Sequence, residues 1–312
     1  MALQERFTRP DGWRTGEFAN PLTGHHIHYG HAAPNGVSRG TVVILPGLSE
    51  FTEKYYELMR DMLARGLAVY VIDWAYQGRS SRMASAPMRR HSDGFDTDIT
   101  DLHHLMRQIV IPDSPNSPFV MIGHSMGGHI GLRYLAAHPG IFAAAAFSAP
   151  MLGINDLKHT PPFLLAMLFM LLRPFNTRYI PRGRDWHETM RKSNGEDIFS
   201  SDPVRDTLHN HWCGKHPELR VGNVTIKWVY EALTSIKRLM PVLRQIAIPV
   251  YIAAARQDSI VDNDAIIRAA AIMPGAALDM LDGARHEILM ERDDIRARWL
   301  AGFDKLLQRA DI

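Results

Sequence analysis

The sequence predicts an α/β protein: a mostly parallel sheet with helices on both faces, interrupted by an inserted helical segment. Three observations carry that expectation. Short apolar runs alternate with segments of helical periodicity through the first half of the chain. These runs are apolar at successive positions rather than alternate ones, as strands covered on both faces require. The alternation stops near Met151 and resumes near Met240. The expected organisation is a core first part at 1–150, a helical insertion at 151–239 and a core second part at 240–312.

The elements follow in order. The first forty residues, with GEFANP and LTGHHIHYGHA, suit an antiparallel hairpin on the sheet edge. Thr41–Leu45 is β-branched, short and stopped by Pro46-Gly47, so it is a buried strand. Thr52 can cap the next helix, EKYYELMRDMLARG, in which Tyr56, Met59 and Leu63 share a face and Gly66 supplies a stop. Ala68–Ile72 is a second core strand, closed by Asp73. A loop rich in Arg and Ser leads to a helical stripe of Ile99, Leu102, Leu105, Met106 and Ile109, which PDSPNSP ends. Then come the strand FVMIG, the helix GGHIGLRYLAAHPG and the strand AAAAFSAP. Beyond the insertion, PVYIAAARQD is a strand, NDAIIRAAAIMPG a helix, AALDMLDG a strand, and the chain from Asp293 to about Leu307 the last helix. Right-handed crossovers place the strand C-ends along one edge of the sheet, where ligands bind in such folds.

Composition narrows the class. With 312 residues, 46% hydrophobic and 22% charged, the chain can bury a sizeable core, so disorder over most of it is excluded. A formal charge of +2 without a concentrated Lys/Arg stripe argues against a nucleic-acid partner. A single cysteine, Cys213, precludes an intrachain disulfide. The start, MALQERFTRPDGW, lacks a basic-then-apolar signal pattern, and cytoplasmic residence is the expectation.

The chemistry concentrates in GHSMGG, residues 123–128, a G-x-S-x-G pattern between a strand and a helix. A side chain at Gly123 or Gly127 would collide with neighbouring backbone in so tight a turn, which presents Ser125 as a candidate nucleophile. A serine hydroxyl needs a base, an acid and an oxyanion site. Sixteen histidines compete for the base, but after Pro217 there is only His286, just beyond the last strand. Asp258 directly follows PVYIAAA and precedes His286, satisfying the order Ser, Asp, His. Asp262 and Asp264 are rivals lying further into the loop and next helix, and Asp282 shares the loop of His286. The backbone N–H of Met126, after the nucleophile, and that of Leu48, in the loop LPGLSE, are the candidate oxyanion donors.

Taken together, LPGLSE, IDWAYQGRSSR, GHSMGG, RQDSIVD and GARHEILME resemble the α/β-hydrolase superfamily. Within it they are most similar to the lysophospholipase and monoacylglycerol lipase-like serine hydrolases. The resemblance covers nearly the whole chain outside the insertion. It implies Ser125 as nucleophile, Asp258 as acid, His286 as base, Leu48 and Met126 as the oxyanion hole, and a cap formed by the insertion. Two departures stand out: Pro46 replaces the histidine that usually precedes the oxyanion-loop glycine, and Ala75-Tyr76 replaces Arg-Gly. A different support for the oxyanion loop is therefore expected.

The implied substrate is a small lipid-like carboxylic ester, with no cofactor and no metal. A peptidase or amidase with the same triad is one alternative, and a non-catalytic hydrolase-fold binding protein is another. In the insertion, FLLAMLFMLL is too short to span a bilayer. Burial or lining of an acyl pocket is the preferred reading, and contact with lipid, aided by Arg173, Arg178, Arg182 and Arg184, the second. His209, His211, Cys213 and His216 fit no standard zinc spacing.

Overall fold

In a computed structural model, residues 3–114, 118–192 and 196–312 are described. Eight strands form one sheet in the order β1-β2-β4-β3-β5-β6-β7-β8. They are β1 Arg14–Ala19, β2 His26–Ala32, β3 Gly40–Leu45, β4 Leu67–Ile72, β5 Phe119–His124, β6 Ala144–Ser148, β7 Val250–Ala255 and β8 Ala276–Leu281. β1 and β2 make the antiparallel hairpin, and β2 joins β4 antiparallel. From β4 to β8 every pairing is parallel.

The burial of the strands explains their composition. Every residue of β3, β4, β5, β6 and β7 is buried, because helices cover both faces. The edge strands β1 and β8 are partly exposed and mix polar with apolar residues. The helix Ser125–Ala137 packs on β5 and the terminal helix Asp293–Arg309 on β6 and β7.

Parallel register brings the C-ends level. Leu45 pairs with Gly123, Gly123 with Phe147, Phe147 with Ile252 and Ile252 with Leu278. The chain runs from β3 to β4 on one side and from β5 to β6 on the other, so β3 and β5 flank the point where the order reverses. The loops after β3, β7 and β8 carry Leu48, Asp258 and His286, and Ser125 opens the helix directly after β5.

Two local expectations change. Thr52 does not cap its helix: its N–H and hydroxyl both donate to Asp73 Oδ1, at 2.9 and 3.0 Å. Asp73 is fully buried at the end of β4 and takes these donors, while the helix Tyr56–Ala64 is entered through a 3-10 turn at Thr52–Tyr55. The stop expected at PDSPNSP falls partly on 115–117, outside the described residues; the described helical chain ends at Asp113.

Between β6 and β7 no strand forms among the described residues. Helices there are Pro162–Leu172, Leu208–Lys215 and Ile226–Leu239, joined by 3-10 turns and irregular chain.

Candidate active site

Ser125 begins the helix that follows β5 and holds φ at +49°. A non-glycine residue in that region is strained and is kept there only by rigid surroundings. The surroundings are backbone. A Cβ on Gly127 would stand 2.1 Å from the Leu45 carbonyl oxygen, and one on Gly123 would stand 2.8 Å from the Gly128 Cα. Glycine at both positions lets β3, β5 and the helix approach closely enough to form the turn.

Ser125 Oγ lies 2.9 Å from His286 Nε2, and His286 Nδ1 lies 2.7 Å from Asp258 Oδ2. Asp258 Oδ1 accepts the N–H groups of Ile260 and Val261 at 2.8 and 3.0 Å. Burial works to raise the pKa of Asp258, but the imidazole and these N–H groups outweigh it and hold the carboxyl below its usual range. An ionised carboxylate only accepts, so Nδ1 carries the proton and Nε2 accepts from the serine hydroxyl. The rival acids are engaged elsewhere. Asp262 caps the helix Asn263–Ile272, Asp264 lies exposed in that helix's first turn, and Asp282 pairs with Arg256 at the surface.

His124 stands beside His286, with ring centroids 5.0 Å apart. Its Nδ1 is 3.0 Å from the Ser148 carbonyl oxygen, so Nδ1–H is the donor. Burial above all, reinforced by His286 and opposed by Glu50, lowers its pKa to about 4. A neutral neighbour does not repel an imidazolium forming on His286.

The loop after β3 is braced by side chains that follow β4. Trp74 Nε1 donates to the Pro46 carbonyl at 2.8 Å, and Gln77 Nε2 donates to the carbonyls of Gly47 and Glu50, both at 2.8 Å. The Gly47 N–H donates to Glu50 Oε2 at 2.6 Å and the Ser49 N–H to Gln77 Oε1 at 3.0 Å. Trp74 and Gln77 both come from the divergent segment IDWAYQGRS. Tyr76, at the family's glycine position there, takes the left-handed φ of +68° itself. Between the two committed N–H groups stands Leu48, which lines the cavity with Ser125. Met126 is the second residue of its helix, where an N–H has no intrahelical acceptor.

These residues open into a cavity of about 450 Å³. Its wall is largely apolar and comes in good part from the insertion, including Trp186, Met190, Ile198, Phe199, Val221 and Trp228. A larger crevice of about 600 Å³ lies between β1 and the helix Tyr56–Ala64 and does not include Ser125 or His286, so volume alone does not mark the site.

FLLAMLFMLL departs from its preferred reading. Among the described residues none of the helix Pro162–Leu172 lines the cavity, and Phe163, Met170 and Leu171 are 70%, 69% and 63% exposed. Nearly uniform apolarity has no periodicity from which a buried face can be read. In HNHWCGKH, His209 packs on Phe51, Cys213 joins a small apolar cluster, and His211 and His216 flank the Trp212 ring. Among the described residues no three His, Cys, Asp or Glu side chains gather to hold a metal.

Sequence reasoning missed Glu50, Lys54, Arg191 and Glu287, all packed near the site. Glu50 and Lys54 share i,i+4 spacing, a signal ordinarily read as a solvated helix pair.

A strand–serine–helix elbow with a Ser–His–Asp relay at the C-edge of such a sheet defines an α/β-hydrolase. The family model described as "Serine aminopeptidase, S33" matches residues 36–293, and the chain belongs to that family. It is 31% identical to lysophospholipase L2 of Escherichia coli K12 over 267 residues, 82% of this chain and 76% of that one. It is 29% identical to a probable lysophospholipase L2 of Haemophilus influenzae, covering 88% of this chain and 85% of that one. In fold it is similar to a monoglyceride lipase from Saccharomyces cerevisiae, with a TM-score of 0.71 at 18% identity over 97% of this chain and 95% of that one.

Proposed function

We propose that the protein is a serine hydrolase that cleaves carboxylic esters of lipid-like substrates of the lysophospholipid or monoacylglycerol type. The observation that carries the reading is a hydrogen-bonded Ser125–His286–Asp258 relay opening into a cavity with a largely apolar wall. His286 Nε2 takes the proton of Ser125 Oγ as that oxygen bonds to the substrate carbonyl carbon. The carbonyl oxygen becomes an oxyanion facing the N–H groups of Leu48 and Met126, and Asp258 steadies the imidazolium. Collapse expels the alcohol, which takes the proton from His286. Water, deprotonated by His286, then attacks the acyl-enzyme and releases the acid, restoring Ser125. No metal or cofactor enters this sequence.

Relatives named for lipid hydrolysis support the same substrate class. An aminopeptidase would need a free carboxylate for its substrate's ammonium. Of the carboxylates on the cavity wall, Glu50 and Glu287 are already paired with Lys54 and Arg191, and Asp156 is exposed to solvent, where an ion pair with an ammonium is weak. A chain-length series of monoacylglycerols, lysophospholipids, aryl esters and matched amides tests the reading. Turnover that rises with acyl length on esters is expected; faster turnover of the matched amides overturns it.

The insertion, in this reading, acts as a cap, and the helix Pro162–Leu172 touches a lipid surface. Its exposed apolar side chains support this, as do the exposed Arg173, Arg178, Arg182 and Arg184, none of which forms an ion pair among the described residues. Among the described residues no helix is long and apolar enough to cross a membrane. Co-sedimentation with anionic vesicles is expected, and its absence refutes the contact.

A further inference from the structure

Beneath the oxyanion loop and His286 runs a row of four charged side chains that the chemistry above does not use. Lys54 Nζ lies 2.7 Å from Glu50 Oε1 and 2.6 Å from Glu287 Oε1, and Arg191 Nη2 lies 2.7 Å from that same Glu287 oxygen. Signs alternate, the row is neutral, and Glu50, Lys54 and Glu287 are no more than 3% exposed. The Arg191 side chain is 9% exposed. At one end, Glu50 Oε2 accepts the Gly47 N–H and the Tyr55 hydroxyl. In the middle, Glu287 adjoins His286 in the chain. The other end belongs to the insertion: Arg191 stacks on the Phe199 ring at 3.9 Å, and the Phe199 carbonyl accepts the Glu287 N–H at 2.7 Å.

We infer that Arg191 is a positioning residue through which the insertion sets the geometry of the oxyanion loop and of the His286 loop. Without its guanidinium, Lys54 alone faces two buried carboxylates. A buried charge that loses its partner is strongly unfavourable, so Lys54 cannot serve both equally. If it shifts toward Glu287, Glu50 loses its one cationic partner and turns on the Tyr55 hydroxyl, and the Gly47 N–H moves with it. If it stays with Glu50, Glu287 is left uncompensated beside His286. Either displacement acts on the reacting geometry, in addition to any change in the acyl wall through Phe199. The expected signature is therefore a loss in kcat on a substrate too short to need that wall.

This inference rests on Ser125 and His286 being nucleophile and base. The test measures kcat and KM for a short aryl ester in the parent, Arg191→Met, Arg191→Lys and the double variant Arg191→Met/Glu287→Gln. Melting temperature and near-ultraviolet dichroism report folding. Arg191→Met is expected to lower kcat by about tenfold or more while KM stays within about twofold. Arg191→Lys should recover most of the loss. The double variant, whose row is again neutral, should turn over faster than Arg191→Met. Parental kcat in Arg191→Met, equal impairment in Arg191→Lys, or a double variant slower than the single overturns the inference. If Arg191→Met does not fold, a folded and active double variant supports the row, and one that also fails to fold overturns it. Fluorophosphonate labelling of the parent and Ser125→Ala in the same series tests the serine assignment separately.

Discussion

The elbow around Ser125 and the helix Pro162–Leu172 are held in opposite ways. At the elbow, strand and helix backbones approach so closely that a single methyl group on Gly127 would overlap the Leu45 carbonyl. The helix packs against Ile226–Leu239 and presents Phe163, Met170 and Leu171 to solvent. One region has a single permissible geometry set by covalent and steric limits. The other has an apolar surface that no described residue covers. The proposed reaction chemistry falls where the chain has no slack, and the proposed lipid contact where the chain is least committed.

Disabling the elbow side of this contrast should have the largest effects. Asp258→Asn leaves the shape intact but removes the charge that fixes the His286 tautomer, and kcat should fall by about ten-thousand-fold. A steady-state assay on a short ester measures this. Gly127→Ala forces Leu45 and the helix apart, and a loss of stability of about 1–3 kcal/mol or more is expected, together with loss of labelling at Ser125. Thermal melting and probe labelling check the two halves.

Altering the helix side should leave the chemistry alone. Replacing Met170 and Leu171 by Asp should abolish binding to anionic vesicles, while turnover of a short soluble ester stays within about twofold. Sedimentation and a soluble assay, run on one preparation, separate the two. A parallel loss of soluble turnover would mean that the helix belongs to the reacting geometry after all.

The smallest effect concerns stability and pH, away from both regions. His25 Nδ1 lies 2.6 Å from Asp101 Oδ2, and its Nε2 lies 3.2 Å from Asp93 Oδ2. Burial alone would lower its pKa, but the two carboxylates prevail and raise it to about 9. The charged form is thus favoured on folding. Its contribution is fully present below the unfolded value of about 6.5 and is lost as pH rises through about 9. Melting temperature should therefore fall over that window more steeply in the parent than in His25→Asn.

How much of this was legible follows from which forces act locally. The strands β3 to β7 could be read because burial on both faces excludes polar residues from each of them. Ser125, Asp258 and His286 could be read because strand ends and chain order restrict the candidates, and they stand within hydrogen-bond reach of one another. Lys54 carries no local signal of its role, since nothing near it in the chain reveals that Glu287, more than two hundred residues away, completes its pairing. Trp74 and Gln77 sat inside a recognised segment, yet their role as props of the oxyanion loop depends on β3 and β4 being neighbours. The exposure of Phe163, Met170 and Leu171 was illegible for another reason. Apolar residues are ordinarily buried by a partner, and a sequence records the apolarity but not the partner.

The central claim is that Ser125 is the nucleophile activated by His286 and Asp258. Mass spectrometry after incubation with a fluorophosphonate tests it most directly. The account predicts one stoichiometric adduct on the peptide containing Ser125, and no adduct or ester turnover in Ser125→Ala. An adduct on another residue, or turnover that survives in Ser125→Ala, would contradict it.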